Sequence, residues 1–384
     1  MNSSPNRPLR VALIGTAKRS HYLYGPLLKM LPQTVMLVSV WGRSADSARQ
    51  LGESLGVPWY TDLGQLVRET APEIGVVSVA YGANGEVGLM AVEHGLHVLL
   101  ETPIAHRLSE ADAIIAAAVE RGVKIEVAEQ FHRRPQEQIK LKLIESGLFG
   151  RVYSAFNDFA GHGYHGVSVM RSYLGFDAKP IQVVGAVQKY DLTPHWSRMT
   201  ETVGSWSETQ EHGMVTFEGG QIGVFHWTDL GYYSSLRWWR SSRFLAEKGM
   251  GITLGTGQDN HEQLTLLAPG DEGQRLITLD RRWERADGGA LVAIVAHTGD
   301  PELPIVRWDN PVLAEIQGPG PQLHDDRIGV AGCLLSLVNA VRHNTSPTYG
   351  PYQARLDQEI TLAIRQSAQL GGQPIRLPLD PADE

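Results

Sequence analysis

The feature that most constrains the fold is the alternation of short β-branched runs with helical patterns over the first ~130 residues. Five runs are typical of strands, and we predict them at 10–15, 35–41, 73–80, 97–100 and 123–128. A helix is predicted to start at Ser109, with Asp112 in a position resembling a capping box. Because strands that alternate with helices pair in parallel through right-handed crossovers, the pattern predicts an α/β fold that begins with a doubly wound Rossmann sheet.

The rest of the chain follows a different pattern. A length of 384 residues exceeds what one hydrophobic core usually supports, so we expect two domains, at 1–130 and 131–384. After residue 131 strands dominate, at 152–159, 181–190, 214–217 and 222–228, the last two joined by a hairpin turn. Residues 269–324, rich in Gly, Pro and Asp, are predicted to form irregular strands and loops. Two helices follow, at 326–343 and 352–371.

Composition narrows the class of protein. A net charge of −8 argues against nucleic acid as a partner, because phosphate binding needs a clustered positive surface. The one cysteine, Cys333, lies in an apolar helical pattern and cannot form an internal disulfide, which fits a reducing cytoplasm. Residues 1–10 are polar and no long apolar span follows them, so we predict no signal peptide and no membrane helix.

The turn after the first strand is a candidate phosphate site. It carries Gly15, Thr16 and Ala17 before a helix, where free backbone N–H groups and the helix dipole favour a pyrophosphate. The dinucleotide fingerprint G-x-G-x-x-G keeps only its first glycine here. After the second strand, Arg43 and Ser44 follow a glycine where an acidic residue normally binds the ribose. This predicts NADP, with NAD as the alternative, because arginine suits a 2′-phosphate; the other interpretation is a solvated Arg43.

Five segments resemble, in order, the Gfo/Idh/MocA family of glucose–fructose oxidoreductases and inositol dehydrogenases. Residues 93–105 read E-H-G-L-H-V-L-L-E-T-P-I-A, similar to the family's A-G-K-H-V-x-x-E-K-P-x-A. Residues 128–135 resemble its stretch ending N-Y-R-x-x-P, and 165–175 resemble H-x-x-D-x-x-R-x-L-x-G. The strand-turn at 215–221 and the end of the chain, 367–379, add further matches.

The resemblance implies a Rossmann domain followed by an α/β domain with a large open, mainly antiparallel sheet that binds substrate and forms homo-oligomers. It also implies an NAD(P)-dependent enzyme that moves hydride to or from a carbohydrate-like substrate: a sugar, cyclitol or glycoside. The family's catalytic lysine and aspartate fall on Thr102 and Gly161, whereas its histidine falls on His165. Tyr81 and Gly85 replace the proline and histidine of another motif, T-P-x-x-x-H.

His165 is therefore the main candidate for acid–base catalysis, since imidazole titrates near neutrality. The alternative is a histidine that caps a helix. His162 and Tyr164 lie in the same glycine-rich loop and are candidates for its partner, or are structural. Glu101 and His132 are assigned to the cofactor side. Glu101 is expected to hold the loop between the strand and the helix that follows it. For His132 the alternative is a residue that only packs in a loop. Together with Glu129 these histidines lack the spacing of a metal motif, so no metal is predicted.

Two questions remain open at this stage. Tryptophans gather in the second half and suit either the faces of sugar rings or the packing of a sheet and an oligomer interface. They are Trp196, Trp206, Trp227, Trp238 and Trp239. The alternatives to hydride transfer are a lyase or hydratase that acts on an oxidised sugar, and a non-catalytic member that binds nucleotide or sugar.

Overall fold

The computed structural model describes residues 7–159, 163–197, 200–230, 234, 240–255, 261–267, 273–285, 288–316 and 323–379. Its first part is a six-stranded parallel sheet with the order β3-β2-β1-β4-β5-β6. The strands are β1 (Leu9–Ile14), β2 (Val35–Trp41), β3 (Trp59–Tyr60), β4 (Ile74–Val77), β5 (His97–Leu100) and β6 (Ile125–Val127). The predicted Rossmann sheet is thus confirmed, and the chain reverses direction across the sheet between β1 and β4.

The helices of this part show why the sequence folds as it does. They are α1 (Gly25–Met30), α2 (Ala45–Leu55), α3 (Leu63–Thr70), α4 (Asn84–Glu93) and α5 (Leu108–Arg121). A π-helical turn, Ser20–Tyr24, precedes α1. The side chain of Asp62 accepts from the backbone N–H of Gln65 and so caps α3, a helix that was not predicted. The predicted start at Ser109 is wrong, because Arg107 is the N-cap and its backbone N–H donates to Glu110.

An eleven-stranded sheet forms most of the second part, in the order β18-β17-β16-β15-β14-β13-β7-β12-β11-β8-β19. Its first strands along the chain are β7 (Val152–Phe159), β8 (Pro180–Asp191), β11 (Ser207–Phe217), β12 (Ile222–Thr228), β13 (Arg240–Ala246) and β14 (Gly249–Gly255). They are followed by β15 (His261–Leu266), β16 (Arg275–Arg285), β17 (Gly288–His297), β18 (Ile305–Asp309) and β19 (Ile375–Arg376). Among the described strand pairs of this second sheet only β7 and β12 run parallel. The expected mainly antiparallel sheet is therefore confirmed. A separate ribbon pairs β9 (His195–Ser197) with β10 (Thr202–Gly204).

The prediction of irregular strands and loops for residues 269–324 is wrong where three regular strands form, β16, β17 and β18. β16 and β17 form a long hairpin, and β18 pairs with β17. The apolar run in β17 is a strand signal, but flanking glycines and prolines obscured it. Pairing with neighbouring strands, which local sequence does not reveal, satisfies the backbone of this hairpin.

The described residues of the second part also form the helices α6 (Pro135–Glu145), α7 (Gly163–Leu174), α8 (Asp325–His343) and α9 (Pro351–Gln369). α7 and α9 pack on one face of the large sheet, whereas α8 packs against β5 and β6 of the first sheet. Cys333 lies fully buried in α8, in agreement with the apolar helical pattern around it. None of the helices in the described part of the chain is both long and apolar enough to cross a membrane.

Candidate functional site

A cleft of about 280 Å³ opens where the parallel strands β1, β4 and β5 end. Open α/β sheets bind ligands at their carboxyl edge, beside the point where the strand order reverses. Residues after each strand line this cleft, and the first turn of α7 lies against it. The lining residues are Ala17, Lys18, Arg19, Ser78, Val79, Ala80, Tyr81, Asn84, Glu101, Thr102, Gln130, Tyr164 and His165. The two parts of the chain therefore meet at one site.

The pair formed by His165 and Glu129 is the main chemical feature of the cleft. His165 lies in the first turn of α7, and its Nδ1 is 2.5 Å from Oε2 of Glu129. Both side chains are buried, and the rings of Phe131 and Tyr164 pack on the imidazole with centroids 4.3 and 4.5 Å away. A carboxylate on Nδ1 fixes the ring orientation and the tautomer. The structure thus places His165 at the start of a helix and not as a cap at its end.

Burial controls the protonation of this pair. It raises the pKa of Glu129 to about 8, against the lowering effects of the Phe131 backbone N–H and of Arg134. It also lowers the pKa of His165 well below its usual range, and Arg19 lowers it further. Two buried groups 2.5 Å apart share protons, so they titrate as one unit. Once this unit has lost a proton, Glu129 is ionised, Nδ1–H donates to it, and Nε2 is a base.

Glu101 organises the loop that contains Thr102. Its Oε1 accepts from Nε of Arg19 at 2.5 Å and from the Tyr24 hydroxyl at 2.7 Å. Its Oε2 accepts from the backbone N–H of Thr102 at 3.1 Å. Asn84 holds the same loop from α4, because its Nδ2 donates to the carbonyl oxygens of Glu101 and Pro103. Glu101 therefore acts as the loop-holding residue that the sequence suggested, with an arginine partner that the sequence did not reveal.

The first turn of the parallel sheet fits a dinucleotide pyrophosphate. Gly15 has φ +113°, and a Cβ there would lie 2.1 Å from the backbone oxygen of Ser78, so only glycine fits. Thr16 and Ala17 are half-buried at the start of the helix. Ser20, in place of the third glycine, is buried, and its hydroxyl donates to the same Ser78 oxygen at 3.2 Å. The turn therefore stays tight although two of the three fingerprint glycines are replaced.

The geometry at the end of β2 explains why no acidic residue stands where one normally binds the ribose. A Cβ at Gly42 would lie 2.8 Å from Cγ2 of Thr16, so no acidic side chain fits without displacing that residue. Arg43 is exposed next to it. Ser44 is the N-cap of α2, and its hydroxyl accepts from the backbone N–H of Ser47 at 3.5 Å. Arg43 therefore remains available for a ligand, whereas Ser44 serves the helix.

Other candidates from the sequence are placed differently. His132 is buried away from the cleft lining, with its Nδ1 3.0 Å from the Ser168 hydroxyl and its ring against Phe176 and Tyr349. These contacts with Ser168, Phe176 and Tyr349 support the packing alternative, and the assignment of His132 to the cofactor side stays an untested prediction. Tyr164 lines the cleft beside His165. The proposed partner His162, together with Gly161, Trp238 and Trp239, lies outside the described residues.

Two residues of the cleft were not predicted from the sequence. Arg19 and Asn84 stand in variable positions of family motifs, and only their distance to Glu101 reveals them. Gly85 has a packing reason, since a Cβ there would lie 2.9 Å from Oε2 of Glu110. Among the described residues, no group of three His, Cys, Asp or Glu side chains is placed to hold a metal ion.

A second cavity, of about 540 Å³, lies between α5 and residues 344–353. Among its described lining residues Lys124 is the only one with a charged side chain, and neither His165 nor Glu101 reaches it. The smaller cleft is the better candidate for catalysis, because acid–base groups and the phosphate-binding turn meet there.

Comparison with known proteins agrees with a nucleotide-binding fold in the first part of the chain. Residues 9–129 match the Gfo/Idh/MocA family described as "Oxidoreductase family, NAD-binding Rossmann fold". The chain is 29% identical over 114 residues to levoglucosan dehydrogenase of Pseudarthrobacter phenanthrenivorans, covering 29% of this chain and 28% of that protein. It is 25% identical over 142 residues to the NADP⁺-dependent scyllo-inositol 2-dehydrogenase IolW of Bacillus subtilis, covering 36% of this chain and 38% of that protein. The chain spans no more than about half the length of the curated relatives it matches.

Similarity to solved structures extends over almost the whole chain. Levoglucosan dehydrogenase, solved in complex with NADH and levoglucosan, superposes with a TM-score of 0.71 at 16% identity. The superposition covers 97% of this chain and 100% of that one. At this level of identity the likeness shows a shared two-part fold, including the large sheet.

Proposed function

We propose that the chain, whose residues 9–129 match the Gfo/Idh/MocA oxidoreductase family, is an NAD(P)-dependent oxidoreductase that acts on a sugar, cyclitol or glycoside-like substrate. The observation that supports it best is the Glu129–His165 pair beside the phosphate-binding turn. The proposal assigns residues 1–130 to the cofactor and 131–384 to the substrate and to oligomer contacts.

The proposed chemistry needs a base for the substrate hydroxyl. His165 accepts that proton at Nε2. Glu129 then stabilises the resulting imidazolium through its contact with Nδ1. The bound dinucleotide supplies the hydride acceptor. Tyr164 and the Phe131 ring hold the imidazole and exclude water. Thr102 lines the cleft and carries no charge, so it contributes far less electrostatic stabilisation than a lysine would.

The cofactor is held by residues of the first sheet. The backbone at Gly15, Thr16 and Ala17 takes the pyrophosphate, and Arg43 takes the 2′-phosphate of NADP. The exposed guanidinium of Arg43 and the absence of room for a carboxylate at Gly42 support NADP over NAD.

The test is stopped-flow detection of nicotinamide absorbance with candidate sugars and 3-keto sugars, combined with product analysis. We expect wild type to change the redox state of the cofactor, and His165→Ala to lower the rate by roughly 100- to 10,000-fold. His343→Ala, an exposed histidine at the end of α8, is the matched control and should retain full activity. Product without a net change in the cofactor would favour the lyase alternative, and full turnover by His165→Ala would contradict the assignment of the base.

A further inference from the structure

Arg134, the residue before α6, reaches the Glu129–His165 pair through Phe131. The centre of its guanidinium lies 3.9 Å from the centroid of the Phe131 ring, and the centroid of the His165 ring lies 4.3 Å from the same point. The backbone N–H of Phe131 donates to Oε1 of Glu129 at 3.0 Å. One residue therefore connects the buried cation to both members of the pair.

An ion pair with α8 holds Arg134 in this position. Asp326, in the first turn of α8, accepts from Nη2 of Arg134 at 2.9 Å and from Nε2 of Gln130 at 3.2 Å. Burial raises the pKa of Asp326, but Arg134 and Arg19 together lower it to about 2, so the carboxylate is ionised at neutral pH. Because Asp326 is half-buried and Arg134 is buried, solvent screens the carboxylate more than the guanidinium.

Most other charged groups near the pair have a partner of opposite charge. The titratable groups that face it from the surrounding elements are Arg19, Glu101, Arg133, Arg240, Cys333, Tyr349 and Asp357. The ion pairs among them and their neighbours are Arg19–Glu101, Arg133–Glu126 and Arg171–Asp357. Arg240 also faces the Phe131 ring, but from 5.2 Å. Arg134 is thus the cation of this group that approaches the ring most closely.

We propose that Arg134 and Asp326 are positioning residues whose opposite charges set the pH at which the Glu129–His165 pair becomes a base. The base form of the pair carries one negative charge, and the form with one more proton carries none. Arg134 therefore favours the base form, and Asp326 disfavours it. Arg134 falls on a variable position of the N-Y-R-x-x-P stretch, and Asp326 lies outside the matched segments. The inference rests on the proposed function only in taking this pair as the catalytic base.

Two variants separate the effect of charge from that of shape. Arg134→Met and Asp326→Asn break the same ion pair, so a merely structural role predicts similar effects of both. Charge predicts opposite effects on the titration midpoint of the Glu129–His165 pair. We expect a rise of about one pH unit or more in Arg134→Met, and a smaller fall in Asp326→Asn. Asparagine keeps an oxygen that accepts from Arg134 and Gln130, so this variant tests the inference even if Arg134→Met does not fold.

The midpoint can be measured without substrate or cofactor. NMR titration of protein labelled with ¹³C-histidine follows the Cε1–Hε1 signal of His165, which the variant His165→Gln assigns. Arg134→Lys keeps the charge and should stay close to the wild-type midpoint. Arg49→Met removes a cation from the exposed face of α2 and should not change it. In the double variant Arg134→Met/Asp326→Asn the midpoint should lie between those of the two single variants. The pH–kcat/KM profile should show the same shifts.

The outcomes distinguish this inference from the proposed function. Opposite shifts of the midpoint in a protein that transfers no hydride would contradict the proposed function and leave the inference intact. Shifts in the same direction, or no shift in the variants that fold, would overturn it. It would also be wrong if Arg134→Lys moved the midpoint as far as Arg134→Met does.

Discussion

At the scale of single residues, the pH dependence distinguishes a buried His–Glu pair from an isolated histidine. An isolated imidazole would become active as pH rises through about 6.5. Here burial raises the pKa of Glu129 to about 8, while Arg134 opposes this shift and Glu101 and Asp326 add to it. The base form of the pair is ionised at Glu129, so we expect the rate of hydroxyl oxidation to rise as pH increases from about 7 to about 9. A pH–kcat/KM profile measures this midpoint.

Glu129→Gln provides the matched variant for that profile. Glutamine still accepts from Nδ1–H through its amide oxygen but carries no charge, and both burial and Arg19 lower the pKa of His165. We therefore expect a lower plateau rate and a midpoint shifted to lower pH. A profile that is unchanged in Glu129→Gln would show that Glu129 is not coupled to the base.

Thr102 and His165 should respond very differently to truncation. Loss of one neutral hydrogen bond at Thr102→Ala costs less than about tenfold in kcat/KM, because no charge is removed. His165→Ala removes the base and costs roughly 100- to 10,000-fold. Steady-state kinetics of the two variants on the same substrate makes the comparison. Equal losses would indicate that Thr102 has taken a catalytic role of its own.

The candidate site was predictable only in part from the sequence, and the reason is physical. His165 and Gly15 both match motif positions; His165 lines the cleft, and Gly15 lies against the backbone of Ser78, which lines it. Arg19 belongs to the site through Glu101, which lies 82 positions later in the chain. Glu129 likewise meets His165 across 36 positions. Such pairs depend on how the two sheets come together, which local patterns do not encode.

At the scale of elements, the strand–helix turn after β2 carries a testable preference. Arg43 is exposed at this turn. Next to it is Gly42, where the side chain of Thr16 leaves too little room for an acidic residue. We expect NADPH to bind more tightly than NADH, and Arg43→Ala to weaken NADPH binding by about tenfold or more while leaving NADH unchanged. Fluorescence titration of both reduced cofactors measures the two affinities. Arg49→Ala, on the exposed face of α2 just after this turn, is the control and should leave both affinities unchanged. Equal binding of NADH and NADPH by wild type would contradict the prediction.

Elements were predicted well where local signals are strong. β2 and β5 in the first sheet and β7 and β12 in the second were predicted with the observed bounds, since all four are short runs with flanking turn residues. β3 was missed because two residues give no period, and α3 because its pattern spans only eight residues. The hairpin of β16 and β17 was missed because its strands are stabilised by each other and by β18. Local pattern therefore predicted the Rossmann sheet better than the large one.

At the scale of the whole molecule, a buried carboxyl links stability to pH. Burial raises the pKa of Glu126 from 4.5 to about 7, although Arg133 and the Ser336 hydroxyl oppose the shift. Folded Glu126 therefore keeps a proton between these pH values that the unfolded chain has lost. Unfolding releases this proton, so the contribution to stability is present below pH 4.5 and is lost as pH rises through about 7.

We accordingly expect the free energy of unfolding to fall by a few kcal/mol over this range on account of Glu126. Urea denaturation at several pH values measures the slope. Glu126→Gln keeps an acceptor for the Ser336 hydroxyl and the Tyr349 backbone N–H but cannot titrate, so its slope should be smaller. Glu69→Gln, at a fully exposed carboxyl, is the control. An identical slope in Glu126→Gln would exclude this carboxyl as the source.

The face of the large sheet opposite α7 and α9 bears on assembly. Helices α7 and α9 cover one face, and β11 alternates buried and exposed residues along its length. The exposed set includes His212 and Met214, and across the β11–β12 pair the rings of His212 and His226 stack at 4.5 Å. An antiparallel sheet tolerates one solvated face, but exposed apolar and aromatic side chains on it favour contact with a second copy.

We therefore predict a homo-oligomer built through this face, with a symmetric interface in which each copy presents the same strands. Multi-angle light scattering at micromolar concentration should give a mass at least twice that of the chain. Met214→Glu places a charge on this face and should shift the protein toward monomer, because a symmetric interface brings the new charges near each other. Leu370→Glu, an exposed leucine beyond the end of α9, is the control and should leave the mass unchanged. A wild-type monomer at that concentration would contradict the prediction, and an unchanged oligomer in Met214→Glu would move the interface to another surface.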